Sequence, residues 1–442
     1  MKKSFFLFIA LTLGIGAWAQ ETQTVNYIDA NGEKTVTATV ITNETNTLST
    51  GWYVVLGNDV QTGTLTCQGG VHLILADGAK LTATGNNTSS NAAGIQVSGG
   101  SNYLIIYGQT NQTGQLIATG GGDIGLATGV GSAGIGGGWH GSGSNITING
   151  GIVTANGGPY AAGIGGGHSG SGSNITINGG IVTANGGQWA AGIGGGNDGG
   201  SGSNITINGG IITATGGDCA AGIGGGYEGS GSNITINGGI VAANGGENAA
   251  GIGGGLRGSG SNITINGGIV TANGGKNAAG IGGGRLGSSS NIKVNADCHV
   301  FADNSTPPTT EIQHGSDDDI ASQLNVRYAV IEIDQTILSE LRAEAIAAID
   351  EAVEGVANDE ILAIAREAKN KIMNANGRTI ITGIKDAALA ELQIPIKWYN
   401  TGKTDALGPL GEEQPGPAVK VTKDDKEVIL YLPDKVEYII RK

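Results

Sequence analysis

The chain has 442 residues, 85 of them glycine and only 4% aromatic, a composition foreign to an ordinary globular enzyme and pointing to repetition. Its formal net charge of −14 argues against nucleic acid and against anionic membranes as partners. Cys67, Cys219 and Cys298 lie far apart, without the spacing of a metal knuckle or a disulfide framework, and read as small buried or half-buried residues.

Residues 1–19 read as a signal peptide: Lys2 and Lys3, an apolar run from Phe5 to Ala17, then the small-residue site Ala17-Trp18-Ala19. Export to the periplasm, the cell surface or the medium follows as an expectation. No later apolar run is long enough to span a bilayer, so no membrane insertion is expected. Residues 20–50, rich in Thr and Val, read as an N-terminal β cap. Between 51 and 133, Gly51 to Leu56, Thr64 to Cys67, Val71 to Leu75 and Leu104 to Tyr107 read as strands of irregular coils separated by Gly, Asn and Asp.

From about 133 to 291 one unit recurs, Ser-Asn-Ile-Thr-Ile-Asn-Gly-Gly-Ile-Val-Thr-Ala-Asn-Gly-Gly-x-x-Ala-Ala-Gly-Ile-Gly-Gly-Gly-x-x-Gly-Ser-Gly. Its first Asn falls at 145, 174, 204, 233, 262 and 291, a period of 29 with one step of 30 from Gly199-Gly200, which belongs in a turn. Apolar residues alternate within the unit: Ile146 and Ile148, then Val153 and Ala155, then Ala162 and Ile164. Three short strands per unit are predicted, broken by Asn-Gly-Gly and Gly-Ser-Gly where glycine permits sharp turns. Separate hairpins of this length are barely stable. Stacking like strand on like strand at about 4.8 Å gives every strand two partners and joins the inward Ile, Val and Ala into one core. The prediction is a mainly β chain with a parallel β-helix over 51–303, right-handed by the usual crossover preference.

After Pro308 the composition changes to Ala, Glu and Ile. Residues 304–333 read as a linker, and 334–395 as a three-helix bundle from Ile337–Glu354, Asp359–Asn376 and Thr379–Leu392, with Asn358 as N-cap and Gly355 and Gly377 as stops. Residues 396–442 read as a β-rich tail in which Glu427 to Leu432 and Val436 to Ile440 form a hairpin or small sheet.

Gly51-Trp52-Tyr53-Val54-Val55, Val71 to Gly78, Ile148-Asn149-Gly150-Gly151 and Ala162-Gly163-Ile164-Gly165-Gly166-Gly167 together resemble glycine-rich β-helix surface proteins of gut and oral bacteria. The resemblance covers roughly 51–302. It implies export, a right-handed parallel β-helix and a broad link to carbohydrate-binding relatives of the pectate-lyase-like fold.

No catalytic, metal or cofactor constellation is visible. From Ala133 to Asn291 the charged residues are Asp198, Asp218, Glu228, Glu247, Arg257, Lys276 and Arg285, at most two per coil. Asp198 and Glu228 occupy the same place in successive units, and read as solvated turn residues in preference to the carboxylate pair of a glycosidase. The histidines His72, His140, His168, His299 and His314 lack metal-site spacing.

Two columns vary while their surroundings stay fixed: Tyr160, Trp189, Cys219, Asn248, Asn277, and Trp139, His168, Asn197, Tyr227, Leu256, Arg285. They flank the Ala-Ala-Gly-Ile-Gly-Gly-Gly segment, whose outward positions are Gly or Ala, so a flat strip edged by large side chains is predicted. Trp139, Tyr160, His168, Trp189 and Tyr227 are then the candidate ligand-binding residues, since sugar rings pack on aromatic faces. Unconstrained turn variation is the competing reading. Outward Ile152, Thr154 and Asn156, repeated in later coils, offer a second surface, or simply satisfy strand preference. The function expected is non-catalytic binding of a polysaccharide or host glycan. A surface spacer without ligand and a polysaccharide lyase or hydrolase are the alternatives, and the sequence leaves the oligomeric state open.

Overall fold

The computed structural model describes residues 21–29, 32–86, 92–123, 130–354, 359–375, 378–392, 418–423 and 426–431. The expected signal peptide, the caps Asn358, Gly355 and Gly377, and the strand expected over Val436 to Ile440 lie outside the described residues.

Regular coils carry two real strands. The first runs Gly143–Ile148, Gly172–Ile177, Gly202–Ile207, Gly231–Ile236 and Gly260–Ile265; the second runs Ile152–Asn156, Ile181–Asn185, Ile211–Thr215, Ile240–Asn244 and Ile269–Asn273. Each pairs in parallel with its equivalent one unit away, Ile146 with Ile175 and Val153 with Val182, so one repeat is one coil. Ile146, Ile148, Val153, Ala155 and Ile164 are fully buried, as are Ile205, Ile207, Ile212, Ala214 and Ile223 two coils on. Burying each Ile contributes about 2–3 kcal/mol, so the inward columns dominate the stability of every coil.

The third strand differs from expectation. It shrinks to two residues, Ile164–Gly165, and Ala161, Ala162 and Ile164 are all fully buried. The Ala162 amide donates to the Gly166 carbonyl at 2.9 Å, so the chain reverses over these five residues with Ile164 at the tip in the core. The segment is an inward tuck with its Gly and Ala faces covered, and no flat strip is exposed. Glycine is required because neighbouring tucks touch backbone to backbone: Gly194 adopts φ +136°, and a Cβ there would be driven into the carbonyl of Gly224, 2.9 Å from its carbon.

Asn145 lies inside its strand at φ 59°, a left-handed bulge that asparagine tolerates well. Its amide column runs the length of the array: Asn174 Nδ2 donates to Asn145 Oδ1 at 3.1 Å, and the pattern repeats through Asn204, Asn233, Asn262 and Asn291. A second ladder, Asn149, Asn178, Asn208, Asn237 and Asn266, has bonds of 2.7 Å. Gly199, the extra residue, has open space beyond its Cα, so the insertion sits in a turn as expected.

At the N-terminal end an antiparallel hairpin, β1 (Thr22–Asp29) and β2 (Gly32–Val40), leads into β3 (Thr47–Val55), which pairs in parallel with Leu65–Leu75. That last strand is continuous: the runs expected as two, Thr64 to Cys67 and Val71 to Leu75, join through Gly69-Gly70 opposite a register shift between Ser49 and Gly51. Cys67 and Cys298 are buried and free, with burial pushing both thiols up to about 12.

Residues 304–333, expected as a linker, carry two strands, Glu311–Ile312 and Tyr328–Ile333. Tyr328–Ile333 pairs antiparallel with Ile269–Asn273 on one side and Cys298–Asp303 on the other. Because the returning strand runs against the coil direction, it separates Cys298–Asp303 from the solenoid strand it would otherwise extend, and closes this edge to further parallel stacking. Helix α1 (Gln335–Ala352) follows at once, N-capped by Asp334, whose carboxylate accepts from Thr336 N at 2.7 Å and Ile337 N at 3.2 Å. With α2 (Asp359–Asn374) and α3 (Arg378–Leu392) it buries Leu338, Ala345, Ile349, Ala365, Ala368, Ile372, Ile381 and Leu392. Arg342 ties α1 to the end of α2 by donating to the Ala375 carbonyl from both Nε and Nη2. In the tail, Lys426–Tyr431 pairs antiparallel with Ala418–Lys423.

Candidate functional site

Because the tuck reverses the chain, the turns at its two mouths lie side by side. The Asn197 amide donates to the Tyr160 carbonyl at 3.0 Å, Tyr227 to Trp189 at 2.9 Å, Leu256 to Cys219 at 2.9 Å and Arg285 to Asn248 at 2.9 Å. The two variable columns therefore merge into one ridge along the solenoid axis, each coil's first-column residue bonded to the next coil's second-column residue. This replaces the bordered strip that sequence alone predicted.

All five candidate residues stand on this ridge and form a continuous file of rings. Trp139 lies 4.4 Å from His140, His140 5.3 Å from His168, His168 5.9 Å from Tyr160, Tyr160 5.6 Å from Trp189, and Trp189 5.7 Å from Tyr227. Trp139 is exposed and the other four candidates are half-buried, leaving ring edges and faces toward solvent. Burial and the neighbouring His140 push the His168 imidazole down, which favours its neutral, hydroxyl-bonding form at neutral pH.

Two members of the file are strained. Tyr160 and Trp189 each adopt φ 64°, an outlier for a bulky side chain, whereas the equivalent Cys219, Asn248 and Asn277 do not. Two further residues beside these candidates, His140 and Asn197, were not selected from the sequence. His140 follows Trp139 in the left-handed turn position and links the two ends of the file. Asn197 is 8% exposed, and its Oδ1 has no hydrogen-bond partner among the described residues. The repeat does place Asn197 in the second variable column, whereas His140 stands in the sequence only among the histidines that lack metal-site spacing.

Asp198 and Glu228 are not joined as a pair. The Ser169 hydroxyl donates to Asp198 at 3.4 Å, while Glu228 accepts from Arg257 of the following coil at 2.7 Å.

A second aromatic group lies at the N-terminal coils. Trp52 stacks on His72 at 4.2 Å, Tyr27 of β1 covers Trp52 at 4.6 Å, and Tyr107 Oη bonds His72 Nδ1 at 3.0 Å. These rings fasten the hairpin to the outer face of the first coils and bond mainly to one another. The Ile152, Thr154 and Asn156 ranks do form a flat face, on which Ile181, Ile211 and Ile240 are 45–49% exposed.

Five segments, residues 146–168, 175–197, 205–227, 234–256 and 263–285, match the family described as Beta helix repeat. This chain is a parallel β-helix protein. Each matched segment of the β-helix runs from the first inward Ile of a coil to the second variable turn, so the ridge positions His168, Asn197, Tyr227, Leu256 and Arg285 close the five matches. No curated protein and no solved structure gives a significant match.

Proposed function

We propose that this β-helix is an exported, non-catalytic binding scaffold whose aromatic ridge receives a polysaccharide or host glycan lying along the solenoid axis. The observation that carries the reading is the unbroken file from Trp139 to Tyr227 on positions that the fold leaves free to vary. A coil advances about 4.8 Å, so the file presents successive apolar ring faces to an extended chain. The left-handed strain at Tyr160 and Trp189 costs on the order of 1–3 kcal/mol each, the kind of local cost that persists at binding sites. An orphaned Asn197 Oδ1 costs about 1–3 kcal/mol, which a ligand hydroxyl reaching under the ridge would offset.

The test replaces Tyr160 and Trp189 together with Ala. The core residues beneath them are unchanged, so circular dichroism and melting temperature should hold, while glycan affinity measured on the same preparation should weaken by about 1–3 kcal/mol. Full affinity after the double change refutes the ridge and moves attention to the Ile152, Thr154 and Asn156 face. A glycan array on which the intact protein binds nothing favours the spacer reading, to which the continuous asparagine ladders lend a stiff rod.

A further inference from the structure

The ridge does not end at its last aromatic. Two coils beyond Tyr227, Arg285 stands at the equivalent position, with its amide bonded to Asn248 just as that of Tyr227 is bonded to Trp189. Beside it a surface concavity is lined by Lys276, Asn277, Arg285, Asn304, Asn325 and Arg327, with three cations, three amides and no carboxylate. Arg327 is brought there by the returning strand: its backbone amide donates to Asn304 Oδ1 at 3.0 Å, its Nε donates to the Gly274 carbonyl at 3.3 Å, and its guanidinium lies 4.8 Å over Tyr328.

Convergence sets this cluster apart, because three cations line one concavity that holds no carboxylate. Arg257, Lys293, Lys369, Lys371 and Lys385 all have acidic partners. Lys276, Arg285 and Arg327 form no ion pair among the described residues. Glu247 shares the adjoining depression with Lys276 and Arg327 and pairs with neither. A chain of net charge −14 repels anions at long range, yet within a Debye length of about 8–10 Å three unneutralised cations dominate the local potential. Arg guanidinium groups offer the planar fork that holds a carboxylate or a sulfate bidentately, and the three Asn side chains add neutral donors.

We infer that this concavity takes an anionic substituent, a carboxylate or a sulfate ester, borne by the same polysaccharide that stacks on the ridge. Two coil steps, about 10 Å, separate Tyr227 from Arg285, a span that an extended glycan bridges continuously. The inference rests on the ridge reading for the chain that carries the charge. The ridge then sets the class of backbone and the cations set its decoration and direction, with the charged end toward the C-terminal coils.

Calorimetric titration of the full chain decides it, using one oligosaccharide backbone in neutral, carboxylated and sulfated forms, with inorganic sulfate as the free anion. Three proteins are compared: the native chain, Lys276→Gln with Arg285→Gln, and Tyr160→Ala with Trp189→Ala. Arg327 is left in place because it holds Gly274 and the returning strand. A charged form should bind the native chain at least tenfold more tightly than the neutral form. The Gln pair should remove that advantage while leaving neutral binding and melting temperature unchanged, and the ratio of sulfated to carboxylated affinity identifies the group. Equal affinity for all three forms overturns the inference and leaves the ridge standing, as does an advantage that survives the Gln pair. Charged ligands that bind fully to the Ala pair and weakly to the Gln pair keep the cation site and sink the ridge. Inorganic sulfate matching the sulfated chain overturns the claim that one ligand spans both, and failure of every form to bind overturns both readings.

Discussion

Replacing Gly194 with Ala tests the account of the inward tuck most directly. Gly194 sits at φ +136°, and a methyl group there would meet the Gly224 carbonyl of the next coil, 2.9 Å from its carbon and 3.2 Å from its Cα. Backbone strain of about 1–3 kcal/mol adds to an overpacking cost of about 1–3 kcal/mol, because the obstacle is backbone and cannot swing away. The expected loss is therefore about 2–6 kcal/mol, felt first by the coils on either side. Gly63→Ala is the matched control: nothing lies within 4 Å of its added Cβ and its φ is ordinary, so the change should be neutral or stabilising by about 0.4–1 kcal/mol. Thermal midpoints give the global effect. Hydrogen exchange at the amides of Ile193 and Ile223, which bond the Gly222 and Gly251 carbonyls at 3.0 Å, gives the local one, with an acceleration of at least about thirtyfold corresponding to 2 kcal/mol. If the two variants differ by less than about 1 kcal/mol, the tucks do not touch through backbone and the tight packing of this segment is wrong.

Ile205→Asp should cost several kcal/mol and collapse the thermal transition, because the side chain is fully buried among Ile columns with no partner for a charge; an unchanged melting temperature contradicts the inward assignment. The joint between solenoid and helices should depend on pH. His299 donates toward Glu311 at 2.8 Å and Asp334 at 3.1 Å; the hydrogen bond to Glu311, then that to Asp334, raises its pKa. A raised imidazole stabilises fully below its ordinary value of about 6.5 and the contribution fades as pH climbs through the folded value. The difference in melting temperature between the native chain and His299→Gln should accordingly be positive near pH 6 and vanish in mildly alkaline buffer; a difference constant across that range removes the charge from the interaction. All three groups are substantially exposed, so the effect should also shrink with added salt.

Much of the solenoid was legible in the sequence because its determinants are local and periodic. Alternation at Ile146, Ile148, Val153 and Ala155 fixes which side chains face inward, and the 29-residue repeat fixes the register, since identical units stack best on themselves. Helices α1 to α3 were legible for the same reason, from apolar residues three or four apart. Neither kind of pattern describes Ala161 to Gly167. A run of Gly and Ala has no contrasting faces, so only the reversal about Ile164 decides that both are buried and that the flanking turns meet. The merging of Trp139, Tyr160, His168, Trp189 and Tyr227 into one file is a consequence of that reversal, and the sequence could name the residues without arranging them. Tyr328–Ile333 reads from sequence as linker; it becomes a strand by pairing against the coil direction between Ile269–Asn273 and Cys298–Asp303, which is settled by which edge stands open when the chain returns. The sequence by itself determined the repeat, the inward columns and the residues free to vary. Tertiary structure decided which of those variable residues touch, because contacts between residues one coil apart depend on how turns fold over a backbone that carries no side-chain signal.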